Sequence, residues 1–492
     1  MTRRVLEQRP AQEAPPCREP ADPAPFPRSF YSFSLGTTIR PHPGRRAASR
    51  HAPADDATKK LIYTIVKADL LIPGADEPVP DAALVAEAKL IVWVGKQDAI
   101  PAEYTQKCRG TYSVPYLMPG LWDCHAHLLA GGDDEASWPA YMGFVAGQPA
   151  AEGARLARLC WEVLQRGYTS VRDLAGHGCE VSRAVDEGAV AGPNIYAAGA
   201  CISQLAGHGD VFALPAGDVL LNLGAAHVRP GHYASAPSCI AAGEDECRQA
   251  VRLQVRRGAR CVKVLASGGV MSGGDDPTHA QFSPRELAAV VDEARRLGRS
   301  VAAHVHGKPG IVAAVEAGVR TVEHASLADD ECLALIKRRG VVYVATREAI
   351  ELLLELGDDL PRVHRDKLRL VAGHHMAAYR AAVAAGVTIA LGTDALAALT
   401  MARELQWAVE AGLSNLEAIR AATANGPLTV EGQAPRTGQL KAGYEADFIG
   451  VMANPVADVR VLQNEENIRW VWKGGRLFKG PGVGPWGEPA WF

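Results

Sequence analysis

No apolar run in this 492-residue chain approaches the roughly 20 residues of a bilayer-spanning helix, so no helical membrane span is expected. No basic block interrupts the body of the chain, and the formal net charge is −3. Both argue against a nucleic-acid binder and against a protein held electrostatically on a membrane. The ten cysteines are scattered singly, with no CxxC or framework spacing. Several, including Cys124, Cys160, Cys201 and Cys261, lie inside apolar segments and read as buried thiols in a reducing compartment. No hydrophobic secretion segment is evident near the start. Arg3, Arg4 and Arg9 suggest a transit peptide, but Glu7, Glu13, Glu19 and Asp22 do not suit one, so a cytoplasmic location is expected.

What is present is the composition of an ordinary globular protein, 48% hydrophobic and 22% charged. The length suits a barrel of about 250 residues with a satellite. Residues 1–58, rich in Pro, Arg and Ala, read as an irregular arm, and 481–492 as a tail. β-rich runs at 61–72 and 83–94, and again at 446–451 and 468–478, suggest one small β-sandwich domain built from both chain ends, 59–118 and 430–480. Between them, 119–429 alternates strand and helix. Strands are expected at 121–127, 170–174, 194–198, 262–266, 301–305, 321–325, 341–345 and 388–391. The intervening amphipathic stretches, several ending at a glycine, complete the pattern of an α/β (β/α)8 TIM-like barrel.

The stretch PGLWDCHAHLLAGG organises the rest. It is an apolar strand ending in His125 and His127, and residues at i and i+2 of a strand share a face, so one metal ion can be held by both. Other metal-capable residues recur at the ends of later strands, where such barrels carry their chemistry: Lys263, His304 and His306, His324, and Asp394. Each has a plainer reading. Lys263 inside CVKVLASGG is either paired to a buried carboxylate or relieved of its charge by modification or metal ligation. His324 could be a hydrogen-bonded core histidine, and Asp394 a helix cap. His304 is the expected ligand of the AHVHG pair, with His306 beside it as a supporting or substrate contact.

These segments, PGLWDCHAH, KVLASGG, AHVHG, VEHAS and ALGTD, resemble the metal-dependent amidohydrolase superfamily. SQLAGHGD, ASGGVMS, QFSPREL, ATANGPL and VWKGGRLFKGPGVGPWGE look like its imidazolonepropionase and prolidase-like branch, with the fungal ochratoxinases most similar. The resemblance implies two Zn²⁺, the first on His125 and His127, the second on His304 and His324, bridged by a carbamate on Lys263 and a hydroxide. Asp394 would be both ligand and proton carrier. It implies hydrolysis of the amide bond of an N-acyl or peptidyl amino acid, such as ochratoxin A to phenylalanine and ochratoxin alpha. A cyclic amidohydrolase or deaminase of the imidazolonepropionase type is the alternative. Expected partners are a small-molecule amide substrate and further copies of the chain, a homo-oligomer.

Substrate contacts are expected from His208, His306 and Arg347, with His208 and Arg347 at a carboxylate, and Gly268 and Gly269 bringing backbone N–H groups close or simply making a turn. The chain departs from the family where ALAALTMA follows Asp394, and at Gly274, where an acidic residue is common.

Overall fold

The structure, a computed structural model, describes residues 61–129, 149–226, 237–394 and 401–488. The arm at 1–58, the segment 395–399 after Asp394 and the last residues of the tail lie outside these.

Strands β1 (Tyr63–Leu71), β2 (Val79–Glu87), β3 (Leu90–Lys96) and β4 (Cys108–Pro119) come from the front of the chain. The parallel part contributes β5 (Leu121–Ala126), β6 (Tyr168–Asp173), β7 (Asn194–Ile195), β8 (Cys201–Ser203), β9 (Ser238–Ile240), β10 (Cys261–Leu265), β11 (Ser300–Val305), β12 (Thr321–His324) and β13 (Val342–Val344). Strands β14 (Phe448–Val451), β15 (Ile468–Lys473) and β16 (Arg476–Lys479) return from the far end.

Both chain ends share one seven-stranded sheet, β16-β15-β14-β4-β1-β2-β3. Its central strand β4 pairs parallel with β1 on one side and antiparallel with β14 on the other. Period-two alternation gives the sheet two apolar faces. Leu117, Phe448 and Trp472 belong to its own core. Their chain neighbours Met118, Ile449 and Val471 pack into the large core shared with the strand–helix region. Backbone bonds from 443–446 to Lys89 and Ile91 curl the sheet, so the expected β-sandwich takes the form of one hydrogen-bonded sheet rather than two.

The named strands of the strand–helix region pair in parallel, in the orders β5-β6-β7 and β13-β12-β11-β10-β8-β9. Single backbone bonds join these arcs. Ala198 N reaches Asp173 O and Arg260 N reaches Ala197 O, each at 2.7 Å. At the other seam, Tyr343 N bonds Thr388 O (2.9 Å) and Cys124 N bonds Leu391 O (2.8 Å). The arrangement is a parallel α/β fold consistent with a TIM-like barrel. Two expectations shift. The third strand breaks after Ile195 and resumes as β8, on which the unforeseen β9 pairs. Segment 388–391 makes its bonds without forming a regular strand, retaining one bridge, Tyr343 to Ile389.

Helix ends follow local chemistry. Helix Pro284–Arg296 starts at Ser283, whose side chain and that of Glu286 form a reciprocal capping box. Helix Gly243–Arg257 ends at Gly258, whose φ of 116° suits a residue without a Cβ. Among the described residues nine free cysteines are found, all but Cys108 buried.

Candidate metal centre

The C-terminal ends of β5, β10, β11 and β12 and the end of segment 388–391 converge. Nε2 of His127 lies 2.8 Å from Asp394 Oδ1, and Nε2 of His125 lies 3.3 Å from the same oxygen. Lys263 Nζ is 3.3 Å from His125 Nε2. The rings of His304 and His324 are 4.6 Å apart, and those of His125 and His324 5.1 Å. Ligand atoms of His125, His324 and Asp394 lie within 4.8 Å of one another.

The outward nitrogens are committed elsewhere. His125 Nδ1 meets Glu323 Oε2 at 2.9 Å, His127 Nδ1 meets Ala175 O at 2.8 Å, and His324 Nδ1 meets Thr346 Oγ1 at 2.6 Å. Each of these three imidazoles thus spends one nitrogen on an orienting partner and leaves the other for the centre, which is how metal-binding histidines are held. Imidazoles and a carboxylate facing one another fit a divalent transition metal.

Charges in the centre are tuned by burial. Burial lowers the pKa of Lys263 against the pull of Glu323 and Asp394. No carboxylate oxygen comes within ion-pair distance of its Nζ among the described residues, so the paired-lysine reading of the sequence finds no partner. Burial likewise holds His304 and His324 well below the usual histidine range, keeping lone pairs available. For Asp394, burial acts upward, but the charge of His125 and bonds from His125 and His127 outweigh it, leaving an ionised carboxylate. His324, Thr346 and Asp394 have φ of 67°, 56° and 54°. Left-handed backbone at non-glycine residues carries strain, and such strain gathers at functional sites.

Residues 116–478 match the model of the amidohydrolase family. The chain belongs to that family. It is therefore a hydrolase acting on amide bonds. Among curated relatives it is 53% identical to ochratoxinase of Aspergillus niger over 93% of this chain and 95% of that protein. It is 25% identical to imidazolonepropionase of Rhodococcus jostii, over 81% and 89%. Among solved structures, A. niger ochratoxinase superposes with a TM-score of 0.83, covering 87% of this chain and 98% of that one. A Xaa-Pro dipeptidase with bound methionine, 28% identical, gives 0.74 over 85% and 100%.

Around this amidohydrolase centre lie residues that sequence reasoning passed over. Arg172 on β6 and Glu323 on β12 are both fully buried and joined at 2.7 Å, with Thr321 Oγ1 also on Glu323. Glu323 in turn orients His125. Their strands, YTSVRD and TVEH, are rich in polar residues, so neither charge stands out from its neighbours as Lys263 does within CVKVL. Asp123 accepts from His125 N (2.9 Å), Thr393 N (3.2 Å) and Thr393 Oγ1 (2.7 Å), tying β5 to the segment that carries Asp394.

The expected substrate contacts fall as follows. His306 stacks on His324 at 5.1 Å and bonds Ser326 Oγ through Nδ1. Arg347 begins the helix Arg347–Leu356, and its Nε bonds Glu351 Oε1 at 2.8 Å. Its buried Nη1 has no hydrogen-bond partner among the described residues. The His208 ring stacks on His304 at 4.4 Å and 24°. Burial pushes the His208 pKa down to about 4, so it is neutral and brings no positive charge to a carboxylate; that part falls to Arg347. Gly268 and Gly269 do not offer free N–H groups. Gly268 N donates to His279 O and Gly269 N to Asp275 Oδ2. Glycine is required there by close approach, because a Cβ would lie 2.1 Å from Asp276 O and 2.2 Å from the His208 ring. At Gly274 a Cβ would come within 2.4 Å of the Phe212 ring, and the acid of this loop is its neighbour Asp275.

Proposed function

We propose that this amidohydrolase is a zinc enzyme hydrolysing the amide bond of N-acyl amino acids, with ochratoxin A cleaved to phenylalanine and ochratoxin alpha. The convergence of His125, His127, Lys263, His304, His324 and Asp394 carries the reading. The 53% identity to A. niger ochratoxinase supports the choice of substrate, and the Xaa-Pro dipeptidase likeness supports the wider class of peptidyl substrates. The fold reading that accompanies it is a closed (β/α)8 barrel beside the seven-stranded sheet.

His125, His127 and Asp394 would hold one zinc ion, His304 and His324 the other, and a carbamate on Lys263 would lie between them. When bound, the cations polarise the scissile carbonyl and lower the pKa of the attacking water. Asp394 accepts the water's proton on a carboxylate oxygen and returns it to the leaving amine. Burial lowers the pKa of Lys263, which favours the neutral amine that carbamylation requires. Arg347 offers its unpartnered Nη1 to the substrate carboxylate.

Elemental analysis of protein purified without chelator, together with chromatography of reactions on N-acyl amino acids, dipeptides and cyclic amides, tests this reading. About two transition metals per chain and release of phenylalanine from ochratoxin A are expected. Full activity with less than about one metal per chain removes the two-metal mechanism. Turnover of imidazolones but of no N-acyl amino acid installs the cyclic-amide alternative.

A further inference from the structure

His208, whose ring stacks on His304, heads a buried relay that includes none of the metal ligands. Its Nδ1 lies 2.8 Å from Ser272 Oγ. That hydroxyl donates to Asp275 Oδ1. Asp275, with 2% of its side chain exposed, is held by Lys367 Nζ at 2.6 Å and by Gly269 N at 2.8 Å. Lys367 Nζ also donates to Gly269 O and Ser272 O, closing the loop around the carboxylate.

The direction of each proton follows from the donor inventory. Asp275, facing an ammonium and a backbone N–H, is an acceptor only. The single Ser272 proton therefore goes to Asp275, and the Ser272 oxygen has only lone pairs left for the imidazole. Nδ1 of His208 must then carry the ring's proton. In a neutral imidazole this makes Nε2 an acceptor. Nε2 has no hydrogen-bond partner among the described residues, and 20% of the side chain is exposed, beside the ring of His304.

We propose that Asp275, acting through Ser272, is a positioning residue that fixes His208 in the Nδ1–H tautomer, so that Nε2 accepts a hydrogen bond from the N–H of the scissile amide. This rests on the amide-hydrolase reading and narrows it. Secondary amides, which have that N–H, are favoured over linkages that lack it, such as esters and N-substituted amides. Holding the N–H on the His208 side leaves the other side of the nitrogen for the proton returned by Asp394.

Two measurements test it. In metal-replete protein labelled with ¹⁵N-histidine, two-bond ¹H–¹⁵N correlations report the tautomer of each ring, and the His208 signals are those absent from His208→Gln. The wild type should show the Nδ1–H form, and Ser272→Ala and Asp275→Asn should show a mixture or the opposite form. The second measurement compares kcat/KM for an N-acyl-phenylalanine and for its ester analogue with oxygen in place of N–H. Asp275→Asn should lose about tenfold or more on the amide and less than about twofold on the ester. An Nε2–H tautomer in the wild type overturns the proposal, as does an amide-to-ester ratio equal in wild type and Asp275→Asn. A purely structural role for Asp275 would lower both substrates alike. If neither substrate is cleaved, the N-acyl-amino-acid reading has failed, while the tautomer measurement still decides for or against the relay.

Discussion

Replacing Glu323 with Gln should separate the stability of this chain from its capacity for metal. The Glu323 carboxylate is fully buried between Arg172 (2.7 Å) and His125 Nδ1 (2.9 Å). Burial pushes its pKa upward, but the charges of Arg172 and His125 and the bond to His125 bring it down from 4.5 to about 2. A folded pKa below the unfolded value stabilises the folded state above the unfolded pKa. The contribution is complete above about pH 4.5, disappears as pH falls through about 2, and amounts to roughly 3 kcal/mol. Independently, stripping one partner from a buried pair leaves Arg172 uncompensated and costs about 3–5 kcal/mol. Glu323→Gln should therefore lose roughly 3–5 kcal/mol in urea denaturation of metal-free protein at pH 7, a large part of an ordinary domain's stability. Its acid sensitivity between about pH 4.5 and 2 should weaken. Adding Arg172→Met removes the stranded cation and should recover most of the stability. It should not recover metal affinity, because His125 has lost its ionised orienting partner, a change worth about 10–100-fold by competition with a chromophoric chelator. A single variant with wild-type urea midpoint and wild-type metal affinity would refute the reasoning. So would a double variant no more stable than the single one.

Three further outcomes follow from the centre. Asp394→Asn should stay folded, with a near-normal urea midpoint, and lose about 10²–10⁴-fold in kcat; near-normal turnover would assign the proton to another group. Lys263→Ala should lose bound metal by elemental analysis together with activity, and short carboxylic acids should partly restore both by taking the place of the carbamate. A bare ammonium at Lys263 in crystals with both metals present would exclude the modification. Arg347→Ala should raise KM for the free-acid substrate by the equivalent of about 1.5–3 kcal/mol and leave a substrate with an esterified carboxylate unaffected. Equal wild-type turnover of acid and ester would move the anchor elsewhere.

Much of this architecture is legible from local pattern. The spacing of His125 and His127 is informative because strand side chains alternate, and two imidazoles at i and i+2 must share a face whatever surrounds them. Gly258 and the Ser283–Glu286 pair mark helix ends through φ and hydrogen-bond geometry confined to a few residues. Lys263 could be singled out because an unpaired ammonium is costly in any apolar strand.

What lay beyond the sequence is what depends on residues far apart in the chain. Arg172 and Glu323 are 151 positions apart and meet only when β6 and β12 face the same interior, so neither charge discloses its partner locally. Strands β8 and β9, of three residues each, are too short for period-two patterning and exist because β10 offers an edge to β8, and β8 in turn to β9. The tautomer of His208 is the sharpest case. The residue type permits either nitrogen to carry the proton, and the choice is made by Ser272 and Asp275, 64 and 67 positions further along the chain. Only the folded loop, with Lys367 behind it, brings those acceptors to the imidazole. Local sequence determines which groups are present and which face of an element they share; long-range packing decides their hydrogen-bond partners, and with them whether each acts as donor, acceptor or charge.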